Sequence, residues 1–219
     1  MLIAFLRRGG ASALAMKPFS SGSRGDARLL HCLQNGCLTL DEVNPFYFDK
    51  PLAPAAAARR GRAKVSLKAA LGQIRRVANR CEVLVIEGVG GLMVPLGKGY
   101  AVRDLIRQLD AKTFVVGLNR LGVINHVVLT AEALQSAGIK EFAVIMMSVR
   151  KPDISADSNA RMIRQMLPQI PVFCLPYLGN RASTAVAAKE NAKYLKKTLA
   201  HLVGADNLRT FFHRKKRVE

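Results

Sequence analysis

Residues 83–96, Val-Leu-Val-Ile-Glu-Gly-Val-Gly-Gly-Leu-Met-Val-Pro-Leu, constrain this chain more than any other stretch. Val83 to Ile86 is an unbroken apolar run, the pattern of a strand buried on both faces of a parallel sheet. One carboxylate, Glu87, stands at its C-terminal end, and Gly88, Gly90 and Gly91 follow at once. The C-terminal ends of parallel strands are where α/β folds bind ligands. Glycines there let backbone N–H groups approach an anion, and an acid there holds a cation directly or through water. Taken alone, the same letters read equally as a glycine turn capped by a solvated Glu, because short glycine motifs recur often.

The flanking sequence alternates helical and strand patterns. Met1 to Arg8 reads as the last turns of a helix stopped by Gly9-Gly10, and residues 11–16 as a short strand. A polar loop, Ser20 to Asp26, leads to a helix over 27–34. Asn44-Pro45 opens a proline-marked connection expected to run along the surface through Pro51 and Pro54, with a short helix starting at 55–58. Val65, Leu67, Ala70, Leu71, Ile74 and Val77 recur at helical spacing before the strand at 83–86. Beyond it the patterns predict a helix over 102–109, a buried strand over 113–118 and a helix over 125–137. A strand over 142–147, a helix over 156–167, a strand over 172–175 and a closing helix over 185–203 follow. Alternation of this kind specifies an α/β fold with a parallel sheet. No internal repeat or second core is visible, so 1–204 reads as one domain and 205–219 as a basic tail.

The charge is unusual: 34 Lys+Arg against 15 Asp+Glu, a net +19. The basic residues are scattered and not interleaved with aromatics, which argues against a nucleic-acid surface; only His213 to Arg217 forms a cluster. No apolar run is long enough to span a bilayer, so no membrane role is expected. Cys32, Cys37, Cys81 and Cys174 lack CxxC spacing and histidine partners at zinc-finger distances. They fit ordinary apolar thiols of a reduced, cytoplasmic protein.

Five segments occur in order: Lys17-Pro18-x-x-Ser21-Gly22, Asp26-Ala27, Asn44-Pro45, Glu87-Gly88-Val89-Gly90-Gly91-Leu92-x-x-Pro95-Leu96 and Leu121-Gly122-x-Ile124-Asn125-His126. Together they resemble dethiobiotin synthetase, the ATP-dependent carboxylase and cyclase of biotin synthesis, from about residue 2 to residue 178. The resemblance implies a P-loop NTPase-like α/β fold with helices on both faces of the sheet, and a homodimer. The implied reaction converts 7,8-diaminononanoate, CO2 and ATP into dethiobiotin, ADP and phosphate.

The resemblance also implies roles. Lys17 matches the active-site lysine, suited to stabilising a carbamate and a transferring phosphoryl group; alone it is a surface Lys before a Pro. Asp26 and Glu87 match the Mg²⁺-associated acids that also serve ATP; alone, Asp26 reads as a helix N-cap. Ser21, Gly88, Val89, Gly90 and Gly91 match the substrate-side hydroxyl and amides. Asn125 matches a substrate residue at the dimer interface, and alone reads as an N-cap; His126 reads as structural. Met147, Pro176, Tyr177 and Leu178 match positions around the nucleotide. At Met146-Met147 the family carries an Asn that reads adenine; a Met packs on a purine face without supplying paired hydrogen bonds.

Nothing in these residues fits the P-loop, G-x-x-x-x-G-K-[ST]. A helix of about 11–12 residues does not fit before Gly9, so the expectation is that residue 1 lies inside the helix following that loop, with the first strand and P-loop missing. Three functional readings follow: a dethiobiotin synthetase; a non-catalytic relative retaining the scaffold as a binding subunit; and a basic nucleic-acid-associated α/β protein.

Overall fold

Helices and strands follow one another in the order α1 (Leu2–Arg8), β1 (Ala13–Met16), β2 (Phe19–Ser21), α2 (Gly25–Leu33), α3 (Leu40–Val43), β3 (Phe46–Phe48), α4 (Pro54–Arg60), α5 (Leu67–Ala78) and β4 (Val83–Ile86). They continue as β5 (Pro95–Gly97), β6 (Tyr100–Ala101), α6 (Val102–Leu109), β7 (Thr113–Leu118), α7 (Val123–Ser136), β8 (Phe142–Met147), α8 (Ala156–Met166), β9 (Val172–Leu175), α9 (Ala185–Tyr194) and α10 (Lys196–Leu202). The computed structural model describes residues 1–62, 64–179 and 184–204. The basic tail expected over 205–219 lies outside them. The elements fall into two units, Met1–Val102 with the C-terminal segment, and Arg103–Gly179.

In the first unit β1 and β4 pair in parallel, Ala13 opposite Val83 through Met16 opposite Ile86. All four residues of β1 are buried. Ile3 and Leu6 of α1, Leu33 of α2, Ala188 of α9 and Val203 form a core with Ala13 and Ala15. Helix α5 lies along β1 and β4. It starts where the Ser66 hydroxyl accepts from Ala69 N–H at 3.1 Å and buries Ala70, Leu71, Ile74 and Val77, one stripe at helical spacing. Burying each large member of that stripe contributes roughly 1.5–3 kcal/mol. The closing helix expected over 185–203 is two helices, α9 and α10, meeting at Leu195 (φ −90°, ψ 17°).

Two expectations for this unit are corrected. The strand at 83–86 is not buried on both faces: Val83, Leu84 and Val85 are half-buried and Ile86 is 36% exposed. The cause is that β1 is its only strand partner among the described residues. The connection opened by Asn44-Pro45 lies at the surface over residues 49–53, as expected, but its start does not. It enters β3, which pairs in parallel with β2 (Phe19 opposite Phe46, Ser21 opposite Phe48), and Phe19 stacks on Phe46 at 4.8 Å. Asn44 itself is 1% exposed.

In the second unit β7, β8 and β9 form a parallel sheet in that order. The central β8 is buried along Phe142 to Met146. Helix α7 begins after Gly122, whose φ of +92° is a left-handed conformation natural to glycine. It buries Val123, Val127, Ala131 and Leu134, and Val123 and Val127 crowd the space above Gly117. The expectation of a buried strand at 113–118 is corrected: Val116 is 57% and Leu118 49% exposed. Side chains alternate across a strand, so Val115 and Gly117 face away from Phe114, Val116 and Leu118. Among the described residues β7 has β8 as its only strand partner.

None of the four cysteines is in a disulfide, and Cys32, Cys37 and Cys174 are exposed rather than packed as apolar thiols. No helix among the described residues is long and apolar enough to cross a membrane.

Candidate active site

The ladder between β1 and β4 runs one residue past the strands, because Glu87 N–H donates to Met16 O at 2.8 Å. Lys17 and Glu87 are therefore the next cross-strand pair, and cross-strand partners share a face. Lys17 Nζ lies 2.6 Å from Glu87 Oε1 and 3.0 Å from Asp26 Oδ2, and donates to Gly88 O at 3.1 Å. The three ammonium protons each have an acceptor. The Lys17 side chain is only 10% exposed, whereas those of Asp26 and Glu87 are 64% and 45% exposed. Burial alone pulls the Lys17 ammonium down; the hydrogen bond and charge of Glu87, then those of Asp26, outweigh it and hold its pKa above the ordinary lysine value. The lysine is a fixed cation at neutral pH.

Asp26 reaches Lys17 from α2. The sequence alternative, that it caps the helix, is corrected: the N-cap is Arg24 and Asp26 sits in the first turn, where a carboxylate suits the helix dipole. The alternative for Asn125 is corrected in the same way, since Gly122 is the N-cap of α7. Asn125 and His126 are exposed in the first turn of that helix.

The segment after β4 offers donors. The amides of Gly88, Val89, Gly90 and Gly91 make no hydrogen bond among the described residues. Gly90 has φ +62°, and a Cβ there would lie 2.7 Å from Val94 Cγ2. Ser21 Oγ, at the end of β2, is buried without a partner, an orphan that a bound polar group would satisfy.

Asn44, absent from the expected site, organises its base. Lys17 N–H donates to Val43 O at 2.9 Å, so the parallel ladder calls for the N–H of residue 45 to donate to Lys17 O. Residue 45 is proline and has no N–H. The Asn44 side chain replaces it, Nδ2 donating to Lys17 O at 2.7 Å. Asn44 Oδ1 accepts from Ser20 Oγ at 2.8 Å and Arg24 Nε at 3.1 Å. The sequence signal was an Asn immediately before a Pro; its meaning depends on a register that only the fold provides.

Met147, Pro176, Tyr177 and Leu178 belong to the second unit. Met147 ends β8 opposite Leu175 of β9, and Pro176 to Leu178 continue directly from that strand, with Pro176 and Tyr177 exposed. Met146 is buried and Met147 half-buried, so Met147 is the more accessible member of the pair. Asn119, just past β7, donates from Nδ2 to Ala156 O at 3.0 Å and accepts from Asn159 Nδ2 at 3.0 Å.

Asp26 and Glu87 each use one oxygen on Lys17, and their exposure leaves the other oxygens accessible. That donor set fits Mg²⁺, which takes one or two carboxylates and completes its shell with water and phosphate. No group of three or more His, Cys, Asp or Glu placed to hold an ion occurs among the described residues.

A family model described as an AAA domain matches residues 1–183. The ATP-dependent dethiobiotin synthetase BioD of Bacillus licheniformis is 35% identical over 185 residues, covering 81% of this chain and 76% of that protein. The protein of the same name from Anaeromyxobacter sp. is 33% identical over 204 residues, 91% of this chain and 88% of its own. That of Bacillus subtilis is 31% identical over 202 residues, 90% and 85% respectively.

Proposed function

Because the chain belongs to the ATP-dependent dethiobiotin synthetase family, we propose that it serves the ATP-dependent carboxylation and ring closure of 7,8-diaminononanoate to dethiobiotin. The observation carrying this reading is the buried Lys17 ammonium held between Glu87 and Asp26 at 2.6 and 3.0 Å. One substrate amine attacks CO2 and loses a proton to solvent, giving a carbamate. A carbamate oxygen attacks the γ-phosphorus of ATP and ADP leaves. The second amine then attacks the carbamoyl carbon and gives up a proton to solvent, phosphate departs and the cyclic urea closes.

Transfer of this kind needs positioning and charge neutralisation more than covalent help. Lys17 supplies a fixed positive charge beside the carbamate. Its three protons are already used, so an incoming oxygen displaces one acceptor. Asp26, the more exposed carboxylate, is the one released at least cost. The free amides of residues 88–91 and the orphan Ser21 hydroxyl bind and orient the carbamate. Asp26 and Glu87 would hold Mg²⁺, which would supply charge neutralisation at the ATP phosphates. Met147 and Pro176 to Leu178, all in the second unit, are the residues that the family reading assigns to the base. We read the active form as a cytoplasmic homodimer with the exposed Asn125 at its contact.

The test supplies ¹³C-bicarbonate, diamine and Mg²⁺-ATP, and follows labelled cyclic urea by NMR together with phosphate release. Turnover that survives Lys17→Met sinks the reading. Diamine binding and a carbamate signal without phosphate release would instead select the reading as a binding subunit.

A further inference from the structure

Arg24 has no part in the chemistry above, yet its side chain is 17% exposed and makes more contacts than a surface arginine needs. Nε donates to Asn44 Oδ1 at 3.1 Å. Nη2 donates to Asn44 O at 3.1 Å, Leu40 O at 3.2 Å and Asp41 Oδ1 at 2.7 Å. The guanidinium carbon lies 5.1 Å from the Tyr47 ring centre, within cation–π range. Arg24 is also the N-cap residue of α2, two positions before Asp26.

These contacts have a common consequence. An amide side chain has one acceptor end and one donor end. With Arg24 Nε and Ser20 Oγ both donating to Asn44 Oδ1, the donor end must face Lys17 O, which Pro45 leaves without a backbone donor. The same arginine, through its backbone, starts the helix that carries Asp26. One guanidinium thus ties the backbone of Lys17 to the turn that sets Asp26.

We propose that Arg24 is a positioning residue: acting through Asn44 and the start of α2, it fixes the spacing between the Lys17 ammonium and the Asp26 carboxylate. This rests on the catalytic reading of Lys17 for its meaning, but its test does not. A lysine cannot replace Arg24, because an ammonium lacks the planar fork that spans Asn44 Oδ1 and O. Asp41 is dispensable, being 86% exposed and sharing Nη2 with Asn44 O and Leu40 O, which remain as acceptors without it.

A double-mutant cycle read by urea unfolding at pH 7 tests the spacing. Asp26→Asn lowers the unfolding midpoint of the parent, and lowers it less than half as far in the Arg24→Lys background, because the Lys17–Asp26 pair it removes is already parted. Glu87→Gln keeps its full effect in that background, since the strand ladder, not Arg24, sets Glu87 on Lys17; a general loosening of the site would diminish both. Arg24→Gln gives the same loss of coupling should Arg24→Lys not fold, while Asp41→Asn leaves the effect of Asp26→Asn unchanged. An equal effect of Asp26→Asn in the parent and in folded Arg24→Lys, or an equal loss of coupling in Asp41→Asn, overturns the proposal. Loss of the catalytic reading is seen separately, as turnover surviving Lys17→Met, and leaves the cycle standing.

Discussion

Replacing Asn44 with leucine tests whether its side chain stands in for a ladder hydrogen bond that Pro45 cannot make. The change keeps the volume near constant and removes the donor 2.7 Å from Lys17 O. That carbonyl belongs to a buried residue and has no alternative backbone donor, so its cost is that of a buried unsatisfied acceptor, about 1–3 kcal/mol. Ser20 is 2% exposed and also loses its acceptor, adding roughly 1 kcal/mol after its hydroxyl rotates. Arg24 reaches solvent, and the buried leucine offsets part of the sum, leaving a net loss of about 2–4 kcal/mol. For a chain of this length that lowers Tm by about 5–12 °C. The assay is urea unfolding of four proteins: the parent, Asn44→Leu, Pro45→Ala and the double variant. Pro45→Ala alone is expected to cost up to about 1 kcal/mol through the unfolded state. In the leucine background it restores an N–H able to donate to Lys17 O and recovers stability. Equal effects of Pro45→Ala in both backgrounds, or an Asn44→Leu cost below about 1 kcal/mol, refute the reasoning.

Other outcomes follow from the same geometry. Glu87→Gln keeps the fold but raises the requirement for Mg²⁺-ATP, because a neutral amide is a poor ligand for a hard cation; steady-state turnover at wild-type level removes the metal role. The Lys17 pKa is raised above 10.5, so its contribution to stability is complete below that value and is lost as pH rises through the folded-state pKa. Unfolding midpoints of the parent and Lys17→Met should run parallel from about pH 7 to 9 and converge at higher alkalinity; convergence on the acid side contradicts the sign. Gly90→Ala places a side chain at φ +62° and 2.7 Å from Val94 Cγ2, costing about 1–2 kcal/mol and raising KM for the diamine; an unchanged KM detaches this loop from the substrate.

Much of the site was legible in the letters. An apolar run ending in Glu87 places that acid at a strand end, because strand register carries side chains to a fixed position whatever surrounds them. Lys17 ends the other short strand in the same manner, and one extra rung brings the two together. The strands at 83–86, 113–118, 142–147 and 172–175 were equally plain, since four or more consecutive apolar residues bounded by polar ones leave few alternatives. The short strands β2, β3, β5 and β6 were not, because two or three residues carry no period.

What the sequence by itself determined was local: which residues extend, which coil, and which chemical groups stand at the ends. Tertiary structure alone decided which apolar residues are covered. Ile86, Val116 and Leu118 belong to strand patterns that predict burial, and they are exposed because cover depends on neighbours distant in the chain. It also decided that Asn44 is a buried hinge of the site rather than a surface turn, that Asp26 pairs with Lys17 instead of capping its helix, and that Arg24 is held at the base of both. Hydrogen-bond complementarity is settled by register and by which donors a proline removes, and those are fixed only when the segments meet.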